Sequence, residues 1–254
     1  MKQSSLPIKS LSMSTSKTLS QSNDHPNRLT RVLNKIGRNW LLIFNIGFAI
    51  FFGLPWLAPV FMLWGWENAA RLIYLSYYPL CHQLPQRSYF LFGEQTMYTL
   101  DEIEQVWPDI KNLFELRKFT GNPQMGWKIA WSDRMVSMYG GILLGSLTFS
   151  MLRQKMKPIS LWWFIIISIP MGVDGLTHTV SDLFGFKNGF RYHNLWLADL
   201  TQFAFEMDFY VGNGIGSFNW WMRLLSGLIF GFGLIRIVFP LFAAEPKSKA
   251  NPEK

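Results

Sequence analysis

The sequence predicts an all-α, polytopic membrane protein with about four transmembrane helices, and three observations predict it. Apolar residues do not recur at helical or strand period but collect in a few long runs, and about 20 such residues cross a bilayer as helix. Tryptophans and basic residues stand at the ends of those runs, where interfacial anchors and topology-setting charges belong. The single cysteine in 254 residues excludes an intramolecular disulfide, a thiol-only zinc site and Cys-x-x-Cys redox chemistry within one chain. The chain is 49% hydrophobic and 17% aromatic, and much of its +8 formal charge lies beside the apolar runs. That distribution argues for a lipid bilayer as partner and against nucleic acid.

In chain order, residues 1–38 read as a disordered basic cytoplasmic tail without the apolar core of a signal peptide. A transmembrane domain is expected over 39–242, with spans at about 39–64, 135–152, 160–180 and 219–242. Trp40 and Trp64 bracket the first span, and Pro55 and Pro59 kink it or end it early. The stretch around 72–92 is apolar, short and interrupted by Pro79, which suits a re-entrant or interfacial segment better than a span. The outer loop 65–134 includes a water-exposed part with a Thr99–Glu102 capping box. The second span carries Gly141-x-x-x-Gly145 and the fourth Gly227-x-x-x-Gly231, small-residue faces for close helix packing. In the outer loop 181–218, Trp196, Leu200, Phe203 and Met207 share one face of a predicted amphipathic surface helix. Residues 243–254 form a polar cytoplasmic tail.

Basic residues crowd the N-terminal tail, the loop holding Arg153, Lys155 and Lys157, and the C-terminal tail. Four spans put all three on one side, so both termini are expected in the cytoplasm, with the protein in the plasma (inner) membrane. The polar residues near the outer helix ends then need a reason. Asp174 lies about fourteen residues into the third span, roughly 20 Å along the helix. A carboxylate at that depth must be protonated, paired or facing a wet cavity. His178 follows one turn later on the same face. The pair suits a proton relay, two metal ligands or a carboxylate orienting a histidine, and equally a structural hydrogen bond between helices. Cys81 and His82 can complete a four-ligand site with Asp174 and His178 for a divalent metal such as zinc. The plainer alternative makes Cys81 a small apolar packing residue. Arg87, Arg134 and Arg223 gather near one leaflet, where they can bind a phosphate or carboxylate headgroup, snorkel, or pair with Asp133, Asp174 or Asp182. Ser88 has no base nearby except His82, and no Walker, dinucleotide, zincin or nucleophile-elbow motif occurs.

Cys81-His82-Gln83-x-Pro85-x-Arg87-Ser88, followed by Phe92-Gly93, resembles the signature of the prokaryotic integral membrane proteins grouped as domain of unknown function 2085. Arg134 with Tyr139-Gly140, Pro170 with Asp174-Gly175, and Arg223 with Gly227 and Gly231 are similar to its later motifs. The resemblance covers roughly residues 40–240 in scattered short motifs and implies a membrane-embedded fold but no activity. It also implies a second motif Cys-x-Arg-Cys and a glutamine at the position of His178. Here Ser132 and Met135 replace the two cysteines, and residues 94–130 look inserted.

Three functions are consistent with this reading. One is binding or transport of a small ion, proton or lipid headgroup in an outward-facing polar cluster of Cys81, His82, Arg87, Ser88, Asp133, Arg134, Asp174, His178 and Arg223. It predicts that neutralising Asp174 spares folding, and, with only four spans, it implies a homo-oligomer. Another is a membrane-embedded metal-dependent hydrolase or transferase. The third is an accessory subunit that packs against a larger membrane complex through its glycine faces and its aromatic loop at 195–210.

Overall fold

The structure is a computed structural model that describes residues 28–108, 112–152 and 155–243. Residues 1–27 and 244–254, and with them much of both basic tails and Arg153 of the inner loop, lie outside the described residues.

Part of the tail expected to be disordered is a helix, α1 (Arg28–Arg38). Its sequence explains the correction. Leu29, Val32 and Ile36 recur at i, i+3 and i+7 and are exposed together, while Arg28, Arg31, Lys35 and Arg38 take the opposite face. The low overall hydrophobicity that suggests disorder conceals this periodicity.

Among the described residues, four helical stretches are long and apolar enough to cross a membrane: Trp40–Leu63, Asp133–Leu152, Leu161–Leu183 and Phe218–Ala243. Each lies within a few residues of an expected span. The first is built from α2 (Trp40–Gly53), a tight turn at Leu54–Trp56 that carries Pro55, and α3 (Leu57–Leu63). The prolines therefore interrupt this span without ending it. After Gly65, at φ 76°, the chain turns into α4 (Glu67–Tyr77).

The segment expected to be re-entrant is not a helical hairpin. α4 is followed by a turn, a single 3₁₀ turn at Pro85–Arg87 and strand β1 (Ser88–Leu91). β1 pairs antiparallel with β3 (Gly126–Ser132), which also pairs with β2 (Gly121–Asn122). The sequence conceals this small sheet because β3 is buried on nearly every residue and so lacks the alternation that marks a half-exposed strand. Between the strands lie α5 (Leu100–Val106), with the expected Thr99–Glu102 capping box, and α6 (Leu113–Lys118), capped by Asn112.

Two apolar cores form around these elements. One joins Ala58, Ile73, Tyr74, Tyr77 and Cys81 to Ile129, Ala130 and Trp131. The other gathers Leu84, Phe90, Tyr98, Ile103, Leu116 and Phe119. At Ser132 the strand passes directly into the membrane helix α7 (Asp133–Leu152), so the sheet fixes where that helix begins.

Farther along, α8 (Leu161–Leu183) is capped by Ser160, contains Pro170 and ends near short helices α9 (Phe190–His193), α10 (Leu195–Leu200) and α11 (Met207–Tyr210). The predicted amphipathic helix through 196–207 is broken. Gln202 and Phe203 adopt positive φ, and the Tyr210 hydroxyl holds Thr201 Oγ1 at 2.6 Å and the Phe205 amide at 3.1 Å. A buried tyrosine that ties the loop back on itself overrides the local period. Trp196, Leu200, Phe203 and Met207 nevertheless remain exposed.

The last helix, α12 (Phe218–Ala243), packs on α7 through glycines of both. A Cβ at Gly141 would sit 2.5 Å from the Leu228 carbonyl oxygen, and one at Gly231 would overlap the Met138 carbonyl oxygen. Both expected small-residue faces are thus consumed inside the chain, which corrects their assignment to an external partner. Phe44 and Phe51 of α2 stack edge-on against Phe239 and Tyr139 of the same two helices.

Candidate functional site: an arginine–aspartate cluster at the helix ends

Four arginines and three aspartates converge from five segments. The β3–α7 junction supplies Asp133 and Arg134, α8 supplies Asp174, His178 and Asp182, and α9 supplies Arg191. Arg223 comes from the first turns of α12, and Arg87 from the turn before β1.

Asp174 is 2% exposed. Its two oxygens accept from Arg134 Nη2 and Arg191 Nη2, each at 2.6 Å. Two guanidiniums thus answer the cost of a carboxylate within a membrane span. Asp133, 1% exposed, accepts from Arg223 Nε at 2.6 Å and from the Arg134 amide at 2.7 Å. It opens α7, where the helix dipole also favours a negative charge. Arg87 and Asp182 form a two-pronged pair at 2.9 and 2.7 Å.

Arg191 has no forewarning in the sequence, and it is the most elaborately held of the four. Its amide donates to Ser181 Oγ at 3.0 Å. Its carbonyl accepts from Asn194 Nδ2 at 2.9 Å and Asn219 Nδ2 at 2.6 Å. Gly189 lies so close to Ser181 that any side chain there would overlap it. Asn213, equally unannounced, binds Arg223 twice, through Oδ1 at 2.9 Å and its carbonyl at 3.1 Å. In the sequence, Arg191 is one basic residue in a polar loop and carries no positional signal; only the fold places it against Asp174.

His178 Nε2 faces Arg191 Nη2 at 3.4 Å, Arg223 Nη1 at 3.5 Å and Asp174 Oδ1 at 3.7 Å. A nitrogen facing two N–H donors serves as acceptor, which assigns the proton to Nδ1 and leaves the ring neutral. Nδ1 is buried and has no partner among the described residues.

His82, Arg87, Asp133, Arg134, His178 and Arg223 line a cavity of about 270 Å³, with Asp182 on its wall. The His82 side chain is exposed by area because it faces this opening. Surrounding protein, and then the charges of Arg87, Arg134, Arg223 and Arg117, lower its pKa to about 3. His82 is accordingly neutral at pH 7.

Cys81 and Ser88 stand outside this arrangement. The Cys81 thiol is buried in the apolar core, where Sγ accepts from the amides of Gln83 (3.3 Å) and Ser132 (3.2 Å). Ser88 donates its hydroxyl to the Leu84 carbonyl at 2.9 Å. Among the described residues no group of three or more His, Cys, Asp or Glu is placed to hold a metal ion. The four-ligand site of Cys81, His82, Asp174 and His178 is therefore not assembled: the sulfur points into the core and the carboxylate is taken by two arginines.

The turn at 81–84 sorts these side chains. Gln83 adopts φ 50° and lines a different cavity, while His82 and Leu84 line the arginine cavity. Consecutive residues of one motif thus serve three environments.

Residues 124–237 match the model of a family described as predicted membrane protein (DUF2085). That segment holds Asp133, Arg134, Asp174, His178, Asp182, Arg191 and Arg223 and begins after His82 and Arg87. The chain is also 24% identical over 212 residues to the uncharacterised protein MJ1492 of Methanocaldococcus jannaschii, covering 81% of this chain and 94% of that one. No solved structure matches. Through the segment that builds most of the charged cluster, the chain is similar to the family of predicted membrane proteins DUF2085.

Proposed function

We propose that this integral membrane protein binds or transports a small anion, or the anionic headgroup of a lipid, in the arginine-lined cavity. The observation that carries the reading is the charge balance around that cavity. Arg87, Arg134, Arg191 and Arg223 stand against Asp133, Asp174 and Asp182, four positive charges against three negative, beside two neutral histidines. Buried charge is stable only when compensated, and a single bound anion would balance this set. Arg87 Nε and His178 Nδ1, on residues that line the cavity, are buried donors without a partner among the described residues. Arg134, whose side chain is the most exposed of the four at 18%, gives the ligand its approach.

With both termini in the cytoplasm of a plasma-membrane protein, as the basic residues favour, this cavity opens outward. The test is calorimetric titration of the protein in nanodiscs with inorganic phosphate and with acetate. Saturable binding is expected, weakened about ten-fold or more in Arg134→Gln, as befits loss of a charge-assisted hydrogen bond. Asp174 keeps Arg191 in that variant, so the fold survives. Absence of saturable binding to either anion or to anionic lipid would remove the proposal.

A further inference from the structure

A second, larger cavity of about 550 Å³ lies on the other side of the 81–84 turn, among α3, α4, α6 and β3. Its volume falls in the range of small-ligand sites, roughly 300–1,000 Å³. Tyr74, Tyr78, Trp127 and Met62 give it an aromatic and apolar lining, and Arg71, Arg117 and Lys118, against the single carboxylate of Glu67, give it a net positive charge.

Arg117 carries the argument. Its guanidinium lies over the Tyr78 ring, 3.2 Å from the centroid. Nη2 donates to two neutral acceptors, the carbonyls of Tyr78 (3.0 Å) and Cys81 (2.9 Å), and Nε is buried without a partner among the described residues. No carboxylate among the described residues pairs with it. Arg71, on the same cavity, likewise has no ion pair there, although Glu67 stands one turn away. Lys118 adds a third cation, shared with Glu115 at 3.0 Å. Arginines outside any carboxylate ion pair, beside aromatic side chains, suit a phosphate-type anion with an apolar body.

The surroundings indicate where such a ligand comes from. The cavity adjoins the end of the first membrane span, just before the exposed pair Trp64 and Trp66. α4 presents Leu72 and Leu75 outward beside Arg71. We propose that this cavity binds the phosphate of an anionic membrane lipid between Arg71 and Arg117, with the lipid's apolar part against Tyr74, Leu75 and Trp127. The proposal concerns a different cavity from the arginine–aspartate cluster and does not depend on its function.

The experiment is native mass spectrometry of the full-length protein titrated with short-chain phosphatidylglycerol, with inorganic phosphate as a separate arm. Arg71→Gln and Lys118→Gln are the test variants, because both side chains are exposed and neither supports the core. Arg134→Gln reports separately on the other cavity, so that binding at the two sites is told apart. The expected result is saturable lipid binding with one component weakened about ten-fold in Arg71→Gln and that same component retained in Arg134→Gln. Equally tight binding of inorganic phosphate, with the same dependence on Arg71, supports the anion site and makes its source soluble. Lipid and phosphate binding both unaffected by Arg71→Gln and Lys118→Gln would overturn the proposal.

Discussion

Lys128 sits in the middle of β3 with no exposed surface. Its ammonium donates to the carbonyls of Gln83 (2.8 Å) and Arg117 (2.7 Å), clamping the 81–84 turn and the end of α6 to the sheet. Burial lowers its pKa from 10.5 to about 7. The unfolded chain therefore holds more protons than the folded one between about pH 7 and 10.5, and stability from this group rises with pH across that window. The thermal midpoint is expected to climb from pH 7 to 9, and Lys128→Met should flatten that slope. Asp174 makes the opposite kind of residue-scale case. From sequence alone its neutralisation is expected to be tolerated. With Arg134 and Arg191 both on its carboxylate, Asp174→Asn strands one buried and one half-buried guanidinium and is expected to cost about 3 kcal/mol, read as a lowered denaturation midpoint in detergent.

At the scale of elements, the glycine seam between α7 and α12 and the lone glycines elsewhere are physically different. A methyl at Gly231 meets the Met138 carbonyl oxygen and, at 2.7 Å, the Ile142 amide nitrogen. Neither is a side chain that can swing away, so Gly231→Ala must push the helices apart, at about 1–3 kcal/mol. At Gly172, inside α8, an added methyl would meet nothing within 4 Å, and Gly172→Ala is expected to stabilise by about 0.5–1 kcal/mol through chain entropy. Paired unfolding curves of the two variants in one detergent check both signs. The four long helices are legible in the sequence because each is a continuous apolar run. α1 is not, because its apolar face is only a few residues in a polar stretch. β1 and β3 are not, because a fully buried strand and a short membrane segment have the same composition. The 195–210 stretch misleads because its period is real while Tyr210 and two positive-φ residues decide the backbone.

At the scale of the whole molecule, a sequence can nominate charges but not pair them. Arg87, Asp133, Arg134, Asp174, His178 and Arg223 are all conspicuous, since charged groups beside or within apolar runs demand a reason. Their partners lie between 40 and 95 positions away for the pairs Arg134–Asp174, Arg223–Asp133 and Arg87–Asp182, separations that no local pattern encodes. Arg191 escapes notice for the same cause, and so do Lys128 and Arg117, which lie in the stretch that looks inserted. The candidate metal ligands are likewise not grouped among the described residues: Cys81 and His82 are neighbours in sequence and face different surroundings in space.

The burial of Cys81 also makes it a reporter. Its sulfur is the only thiol in the chain and is 6% exposed, enclosed by residues drawn from α3, α4 and β3. A bulky maleimide can reach it only when those elements part. Its labelling rate in the unmodified protein therefore clocks local opening of the part that links the sheet to the first membrane segment. A ligand that tightens either cavity should lengthen that clock without any engineered residue being introduced.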